Sequence, residues 1–289
     1  SLNKITSGAF ILLLAIALLA VPFQRAQAAG PFTVNTTADT HDAAANGVCA
    51  DAGGNCSLRA AIEEANNSGT PTTINVPAAT YSLVLGELSI APNGFHTVTI
   101  NGAGAASTII NQTDGVNRVF NIDFNAAGST YVTISGVTIS GGSDRADALG
   151  GAGILAGSIW SLPRDTLTLT NVIVTNNHVY QTDPTYTSQP GGGLQMAGGD
   201  LTITNCTFSN NSSAASYGGG VAYIAPDQGG TISISGSTFS GNFVVNNTTS
   251  GPVGGGALFI NNKTSAPNTT TIANTTFTNN TATSISSGT

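Results

Sequence analysis

Residues 201–211 read LTITNCTFSNN, and this stretch contains the pattern that decides the fold. Up to Asn205, apolar residues alternate with threonine, which is typical of a β-strand with one buried face. After Asn205, a second short segment places Cys206 and Phe208 on one face, and Asn211 follows in a polar turn. We therefore interpret the stretch as two short strands that meet at a corner.

The same corner recurs along the chain at a nearly constant spacing. Six segments align without gaps, and each ends in glycine or asparagine, the residues that most readily adopt a left-handed backbone conformation. The corner residues are Gly102, Gly136, Asn171, Asn205, Gly236 and Asn274, with spacings of 34, 35, 34, 31 and 38 residues. A repeat of this length indicates one structural unit that is stacked on copies of itself.

A third strand completes each repeat and begins with glycines. Its copies start at Gly151, Gly191, Gly218 and Gly254, and each turns apolar three residues later. No helical pattern and no Lys-Ser or Lys-Thr pair follows these glycines, which excludes a phosphate-binding loop. Three short strands per rung predict an all-β, right-handed parallel β-helix of about six rungs. A β-propeller is the competing interpretation, but it requires four strands per unit.

Two further regions precede the repeats, which occupy residues 96–289. Residues 1–28 have a positive start, a short apolar run and a small-x-small ending, which predict a secretory signal peptide rather than an uncleaved membrane anchor. Residues 29–95 are expected to form an N-terminal cap, because a stack of rungs needs a cover over its apolar end. Ser57 is the predicted N-cap of an amphipathic helix in this region. The buried face of that helix is expected to consist of Leu58, Ala61, Ile62 and Ala65.

The C-terminal end of the repeats is predicted to be open. The sequence stops soon after the last Phe-x-x-Asn motif, Phe277–Asn280, so we expect the repeats to be truncated there. An uncapped rung exposes unpaired strand edges, and such edges would allow end-to-end self-assembly.

The three cysteines have different predicted roles. Cys49 and Cys56 lie seven residues apart in a Gly- and Asp-rich loop of an exported chain, which favours a disulfide between them. Two free thiols are the alternative, and a metal site is disfavoured because no His or Cys pair lies nearby. Cys206 occupies a position that holds small or β-branched residues in other repeats, so we expect it to be buried.

Charge excludes several classes of partner. The chain carries 7 basic and 14 acidic residues, and loss of Lys4 and Arg25 with the signal peptide would leave a net charge of 5 − 14 = −9. No basic stripe is present, which argues against nucleic acid and anionic membranes as partners. We expect no cofactor, no metal and no membrane insertion after signal cleavage. Glycans or other surface proteins are the expected partners.

Few residues outside the repeat columns suggest chemistry. The best acidic cluster is Asp144 with Asp147, and Asp165 lies one long loop away; these acids are predicted to lie off the regular strands. Trp160 and Tyr180 lie in insertions between strands, where aromatic faces can stack on sugar rings. Solvated loops for the acids, and packing on the barrel wall for the aromatic residues, are the simpler interpretations.

The histidines and the cap aspartates carry weaker signals. No Ser or Cys nucleophile pattern lies near the histidines, so no catalytic triad is expected from His41, His96 and His178. Three aspartates of the cap loop could supply oxygen ligands to calcium: Asp39, Asp42 and Asp51. Turn formation is the simpler interpretation of these residues.

Outward hydroxyl groups are the last candidate. In each repeat, Thr or Ser alternates with the buried residues before the corner, as in Thr202 and Thr204. Flat Thr-x-Thr arrays at rung spacing resemble the faces of β-helical ice-binding proteins. The simpler interpretation is that threonine favours exposed strand positions because its Cβ is branched.

Residues 56–66, CSLRAAIEEAN, resemble the CSLREA motif found near the N-terminus of exported bacterial β-helix proteins. The usual glutamate is Ala60 here, so one of the six motif positions departs from the family. The Phe-x-x-Asn and glycine motifs are similar to the repeats of polymorphic outer-membrane proteins. The resemblance implies a secreted or cell-surface protein, and it does not imply an established enzymatic activity.

The absence of a recurrent acid column from the sequence pattern favours a non-catalytic function. We expect an exported, surface-associated β-helix that is adhesin-like or a structural stalk, and that displays loops for multivalent binding. The first alternative is a polysaccharide lyase or glycoside hydrolase, which would need clustered acids on an outer face. The second alternative is ice binding through the Thr/Ser face.

Overall fold

The computed structural model describes residues 30–92, 96–122, 130–145, 149–157, 165–180, 190–214, 217–225, 230–246, 254–262 and 268–284. The signal peptide predicted for residues 1–28 therefore lies outside the described part of the chain. Asp147 and Trp160 also lie outside it.

Short strands follow one another turn by turn in the described residues. Before the first turn lie strand β1 (Phe32–Thr33) and the helix α1 (Leu58–Asn67). The first turn contains β2 (Thr72–Val76), β3 (Ala79–Leu83) and β4 (Leu88–Ile90), and the second contains β5 (Thr97–Gly102), β6 (Thr108–Gln112) and β7 (Phe120–Ile122).

The third turn contains β8 (Tyr131–Ser135), β9 (Thr138–Ser140), β10 (Ser143–Asp144) and β11 (Ile154–Ala156). The fourth contains β12 (Thr166–Thr170), β13 (Ile173–Thr175), β14 (His178–Val179) and β15 (Leu194–Ala197). The fifth contains β16 (Asp200–Thr204), β17 (Thr207–Ser209), β18 (Ser212–Ser213) and β19 (Val221–Ala225).

The sixth turn contains β20 (Gly230–Ser235), β21 (Thr238–Ser240), β22 (Phe243–Asn246) and β23 (Leu258–Asn262). The last described turn contains β24 (Asn268–Ala273), β25 (Thr276–Thr278) and β26 (Thr281–Ser284).

Equivalent strands of successive turns pair in parallel and form four sheets. Sheet A is β1-β2-β5-β8-β12-β16-β20-β24, and sheet B is β3-β6-β9-β13-β17-β21-β25. Sheet C is β4-β7-β11-β15-β19-β23, and sheet D is β10-β14-β18-β22-β26. The predicted parallel β-helix is therefore confirmed. The predicted three strands per rung hold for the first two turns, whereas each of the next four turns has a fourth, short strand in sheet D.

The core consists of apolar columns that run through sheets A, B and C. In sheet A, Ile134 pairs with Leu169, which pairs in turn with Ile203, and all three are fully buried. In sheet B, the rings of Phe208 and Phe239 stack in parallel with centroids 5.0 Å apart. Such ring pairs contribute roughly 0.5–1.5 kcal/mol beyond the burial of their area. The alternation seen in the sequence thus places one apolar face of every turn inside the stack.

The corners adopt the left-handed conformation that glycine and asparagine favour. Positive φ angles between 49° and 62° occur at Gly136, Asn171, Asn205, Gly236 and Asn274. Gly102 differs, since it ends β5 and is not among the residues with positive φ. It still needs to be glycine, because a Cβ there would lie 2.2 Å from the carbonyl oxygen of Gly136.

A second left-handed column, which was not predicted from the sequence, lies five residues after the first. Positive φ angles occur at Gly141, Asn176, Asn210, Gly241 and Asn279. The two columns bracket the short strands of sheet B, so each turn bends sharply on both sides of that sheet.

An internal asparagine ladder follows the second column. Its members are Asn177, Asn211, Asn242 and Asn280, and the first three are fully buried. The Asn177 side-chain amide donates to Oδ1 of Asn211 at 3.0 Å, and Asn211 donates to Oδ1 of Asn242 at 3.0 Å. The same Oδ1 atoms accept the backbone N–H of the preceding member, at 3.2 and 3.1 Å. Because each amide is fully used, polar side chains can occupy the interior here.

The N-terminal cap contains the predicted helix and the predicted disulfide. Ser57 is the N-cap of α1, and its hydroxyl accepts the N–H of Ala60 at 3.0 Å. The helix buries Leu58, Ile62 and neighbouring alanines, and it packs against β2 and β4 of the first turn. Cys49 and Cys56 are joined by a disulfide with their Cα atoms 5.0 Å apart. The disulfide therefore ties the loop of the cap to Cys56, which directly precedes the N-cap of the helix.

Candidate functional site

Sheet D brings polar and aromatic side chains of three neighbouring turns together. Its parallel pairing aligns Ser143 with His178, His178 with Ser212, and Ser212 with Phe243. Phe243 is 38% exposed, whereas the next residue, Val244, is buried. Along this column, Ser143 and Ser212 are buried, His178 is half-buried and Phe243 is exposed, so solvent reaches the column at the histidine and the phenylalanine.

His178 and Ser212 are in hydrogen-bond contact. Nδ1 of His178 lies 2.7 Å from Oγ of Ser212. Burial lowers the pKa of His178 below its ordinary value, so the imidazole is neutral at neutral pH. This serine comes from the next turn, so the contact is not visible in the sequence next to the histidine. The repeat contained the signal, because a step of 34 residues from position 178 reaches position 212, and neighbouring corners are spaced by similar distances.

Arg145 and Tyr180 extend this surface towards the third turn. The guanidinium carbon of Arg145 lies 3.9 Å from the centroid of the Tyr180 ring, which is a cation–π contact. The Tyr180 ring is in turn 6.2 Å from the His178 ring, centroid to centroid, and Tyr180 is 38% exposed. We call Arg145, His178, Tyr180, Ser212 and Phe243 the sheet D surface.

Asp144 lies beside this surface but points away from solvent. It belongs to β10 and is 1% exposed, so the expectation that it lies off the regular strands is wrong. Its Oδ1 accepts from Arg118 at 3.1 Å, and its Oδ2 accepts the N–H of Gly150 at 2.5 Å. Arg118 also binds Glu87 at 2.8 Å. The carboxylate therefore holds three turns together through Arg118, and it is closed to a ligand.

The cap aspartates also have structural partners. The Asp39 carboxylate accepts a hydrogen bond from Nε of Arg59 at 2.7 Å, and it also accepts hydrogen bonds from the N–H groups of Val84 and Leu85. Burial alone would raise the pKa of Asp39, but these hydrogen bonds outweigh it and hold the pKa below its ordinary value. Asp51 accepts the Thr40 hydroxyl at 2.9 Å. In the described ranges no group of three or more His, Cys, Asp or Glu side chains is placed to hold a metal ion.

The pKa of Glu64, another buried acid of the cap, shifts in the opposite direction to that of Asp39. Its carboxylate is buried beneath the cap loop and accepts the N–H groups of Asn46 and Gly47 at 2.8 and 2.9 Å. Burial, reinforced by the nearby Asp42 carboxyl, raises the pKa of Glu64. Asp39 and Glu64 therefore each link the cap loop to the helix, and their carboxylates are occupied by these hydrogen bonds.

The outward face of sheet A carries one unbroken column of hydroxyl groups. The pairing register aligns its members, which we call the threonine column: Thr73, Thr99, Thr133, Thr168, Thr202, Ser233 and Thr271. The adjacent column is less uniform, since it contains Asn75, Asn101, Ser135, Thr170, Thr204, Ser235 and Ala273.

Cys206 is buried, as expected from its position in the repeat. It is 2% exposed, and burial raises the pKa of its thiol. A protonated thiol inside the stack is a poor nucleophile, so Cys206 acts as a packing residue.

Comparison with models of known protein families, with curated proteins and with solved structures gives no match to this chain. Across the described segments, no helix has both the length and the apolar character needed to cross a membrane. The geometry of the stack and of its outer surfaces is therefore the basis for any statement about function.

Proposed function

We propose that the protein is an exported, surface-associated β-helix that acts as an adhesin-like or structural stalk, without catalysis. The single observation that carries this proposal is the continuous stack, in which four sheets, the phenylalanine pairs and the asparagine ladder extend along one direction. Such a scaffold is stiff because every turn is bonded to its neighbours. A stiff stack can present the segments between its strands as repeated, weak contact points.

Two features of the sequence support the export part of this proposal. The Cys49–Cys56 disulfide is typical of proteins that fold in an oxidising compartment. The resemblance of residues 56–66 to the CSLREA motif points in the same direction. Secretion or surface location would be tested by protease treatment of intact cells that express the full chain. Protection of the protein from the protease would contradict surface display.

The binding part of the proposal is tested by comparing monovalent with multivalent presentation. Purified protein, free or coupled to beads, is incubated with immobilised glycans and surface proteins. We expect the beads to bind at least about 100-fold more tightly than the free monomer, because linked weak contacts gain effective concentration. Equal affinity in the two forms, or turnover of a polysaccharide by the protein, would overturn the proposal.

The threonine column favours ice binding as a second candidate function. Its hydroxyl groups repeat about 4.8 Å apart between turns, and the adjacent column lies about 6.6 Å away along each strand. A flat, regular hydroxyl array can order water over a large area. Thermal hysteresis measures this activity directly. We expect Thr168→Lys, at the centre of the column, to abolish any hysteresis, whereas Thr207→Lys on sheet B leaves it unchanged.

A further inference from the structure

Arg145 is the starting point, because no carboxylate among the described residues forms a salt bridge with it. The described residues contain three arginines, and two of them, Arg59 and Arg118, form salt bridges with carboxylates. Arg145 instead lies over the ring of Tyr180. Its neighbour Asp144 cannot serve as its partner, because that carboxylate is directed to Arg118 and to the N–H of Gly150.

We infer that Arg145, His178 and Tyr180 form a binding site for the carboxylate of an acidic sugar. This inference rests on the proposed function. It names the class of ligand that the sheet D surface would bind. No metal or covalent chemistry is involved, since the site would act by charge, hydrogen bonding and stacking.

The guanidinium carbon of Arg145 is held 3.9 Å from the centroid of the Tyr180 ring. A guanidinium that lies flat on an aromatic ring keeps its N–H donors in the plane parallel to that ring. These donors form a fork that matches the two oxygens of a carboxylate. Because the ring holds the fork in place, less side-chain entropy is lost when a ligand binds.

His178 supplies a second donor from the same strand as Tyr180. Its Nδ1 contacts the Ser212 hydroxyl, and burial keeps the ring neutral. If the serine hydroxyl donates to Nδ1, the proton of the neutral imidazole resides on Nε2. In that arrangement Ser212 is a positioning residue, and Nε2–H is the hydrogen-bond donor that His178 offers to a ligand.

The surroundings favour a sugar over a polyanion. The formal net charge of the chain is −7, so a polymer with dense negative charge would be repelled at long range. Tyr180 and Phe243 are each 38% exposed on this surface, and such rings can cover the apolar face of a sugar. A single carboxylate on a sugar ring combines the charge that Arg145 needs with the apolar and hydroxyl groups that its neighbours accept.

The test is an NMR titration of the full-length protein labelled in its histidine side chains. The chain has three histidines, and the His178→Gln variant identifies the His178 signal. The probes are glucuronate and galacturonate, with glucose and galactose as their neutral counterparts and inorganic phosphate as a second oxyanion. We expect the two uronates to shift the His178 resonance in a saturable manner, and the neutral sugars to leave it unchanged.

Variants of the arginine sharpen the result. Arg145→Lys keeps the charge but loses the fork, and we expect uronate affinity to fall on the order of tenfold. Arg145→Gln should remove the saturable shift, whereas the control Thr278→Ala on sheet B should bind as the unmodified protein does. Thermal unfolding of each variant verifies that the fold is intact, and Tyr180→Leu provides a second, independent test of the stacking.

Several outcomes would overturn the inference. They are equal shifts with uronates and neutral sugars, phosphate binding as tight as uronate binding, or full uronate affinity in Arg145→Gln. Failure of the site is distinguishable from failure of the proposed function. Full uronate affinity in Arg145→Gln, with multivalent adhesion of the beads intact, would overturn the site alone, whereas equal affinity of beads and free monomer, or polysaccharide turnover, would overturn the stalk function.

Discussion

Asparagine has two separate structural roles in this chain. At the corners, residues such as Asn171 and Asn205 adopt positive φ angles of 53°, which few other side chains tolerate. Inside the stack, Asn177 and Asn211 each donate from the side-chain amide to the next turn and accept at Oδ1 from the preceding turn. One residue type therefore provides the bends and the polar columns, and substitutions separate these roles.

A substitution at a corner should reveal a backbone effect. We expect Asn205→Ala to destabilise the protein by about 1 kcal/mol, because alanine is strained in the left-handed region. Asn205→Gly should stay close to the unmodified protein, since glycine enters that region freely. Urea unfolding followed by circular dichroism gives both values. Equal destabilisation by alanine and glycine would show that the side chain of Asn205, rather than its φ angle, is what the corner requires.

A substitution in the asparagine ladder should reveal a hydrogen-bond effect. Asn211→Ala removes the oxygen that accepts from the side-chain amide and the backbone N–H of Asn177. It also removes the amide that donates to the Val174 carbonyl and to Oδ1 of Asn242. Each buried polar group left without a partner costs about 1–3 kcal/mol. We therefore expect Asn211→Ala to lower the free energy of unfolding by much more than Asn205→Ala does. Thr207→Ala, on the outward side of sheet B, is the matched control and should change stability by less than about 0.5 kcal/mol. A similar loss in both variants would contradict the ladder's contribution.

At the scale of elements, buried ion pairs hold the early turns where sheet D is absent. Arg59 binds Asp39 and donates to the carbonyl groups of Gly86 and Glu87, which follow β3. Arg118 continues this arrangement by joining Glu87 to Asp144 of β10. From β10 onward, the short strands of sheet D stack on one another at this edge. Polar side chains therefore bridge the part of the stack that has no fourth strand.

The Asp39–Arg59 pair predicts an acid-sensitive cap. Since the folded-state pKa of Asp39 lies below the unfolded value, its contribution is complete above about pH 4 and is lost as pH falls through the folded pKa. We expect Asp39→Asn to lower stability by roughly 3 kcal/mol at pH 7, because the variant leaves a buried guanidinium unpaired. Urea unfolding as a function of pH is the measurement.

The same titration contains its own control. The stability difference between the unmodified protein and Asp39→Asn should shrink as pH falls below 4, because the protonated Asp39 no longer pairs with Arg59. Glu64 has the opposite sign, since its raised pKa makes its contribution decline as pH rises through the folded value. A pH-independent difference between the two proteins would contradict the assignment to Asp39.

At the scale of the whole molecule, the cap should determine solubility. Helix α1 covers the first turn, and Ile62 at its centre is 1% exposed. Ile62→Asp places a charge in this contact, so we expect the helix to detach and the uncovered strand edges to promote aggregation. Asn67→Asp, on the exposed end of the same helix, is the matched control. Light scattering after purification would show the difference, and a monodisperse Ile62→Asp protein would contradict this role of the cap.

The fold could be predicted from the sequence because its determinants recur locally. Asn205 and Phe208 sit in a pattern that returns at each turn, and residues 49–57 contain the loop and the helix N-cap of the cap. Sheet D could not be predicted, because strands as short as Ser212–Ser213 show no alternation. The second left-handed column carried a signal in the sequence, since glycine or asparagine also occurs five residues after each of the last five corners.

The candidate site was predicted less well than the fold. Tyr180 was identified, but its partner Arg145 comes from the preceding turn, and stacking of the two depends on pairing within the short sheet D. Arg118 and Asp144 are 26 residues apart, which matches no repeat spacing, so their ion pair had no signature. His178 and Ser212 are 34 residues apart, and alignment of the turns would have brought them together.

The hydrogen bonds between turns also determine how the molecule would respond to a pulling force. In every sheet they run along the stacking direction, and even the corners take part, as Asn171 N–H donates to Thr204 O at 3.0 Å and Asn205 N–H to Ser235 O at 2.9 Å. A load applied from one end to the other would therefore be shared around the whole circumference of each turn. Rupture would need many bonds to break together, as the proposed stalk function would require.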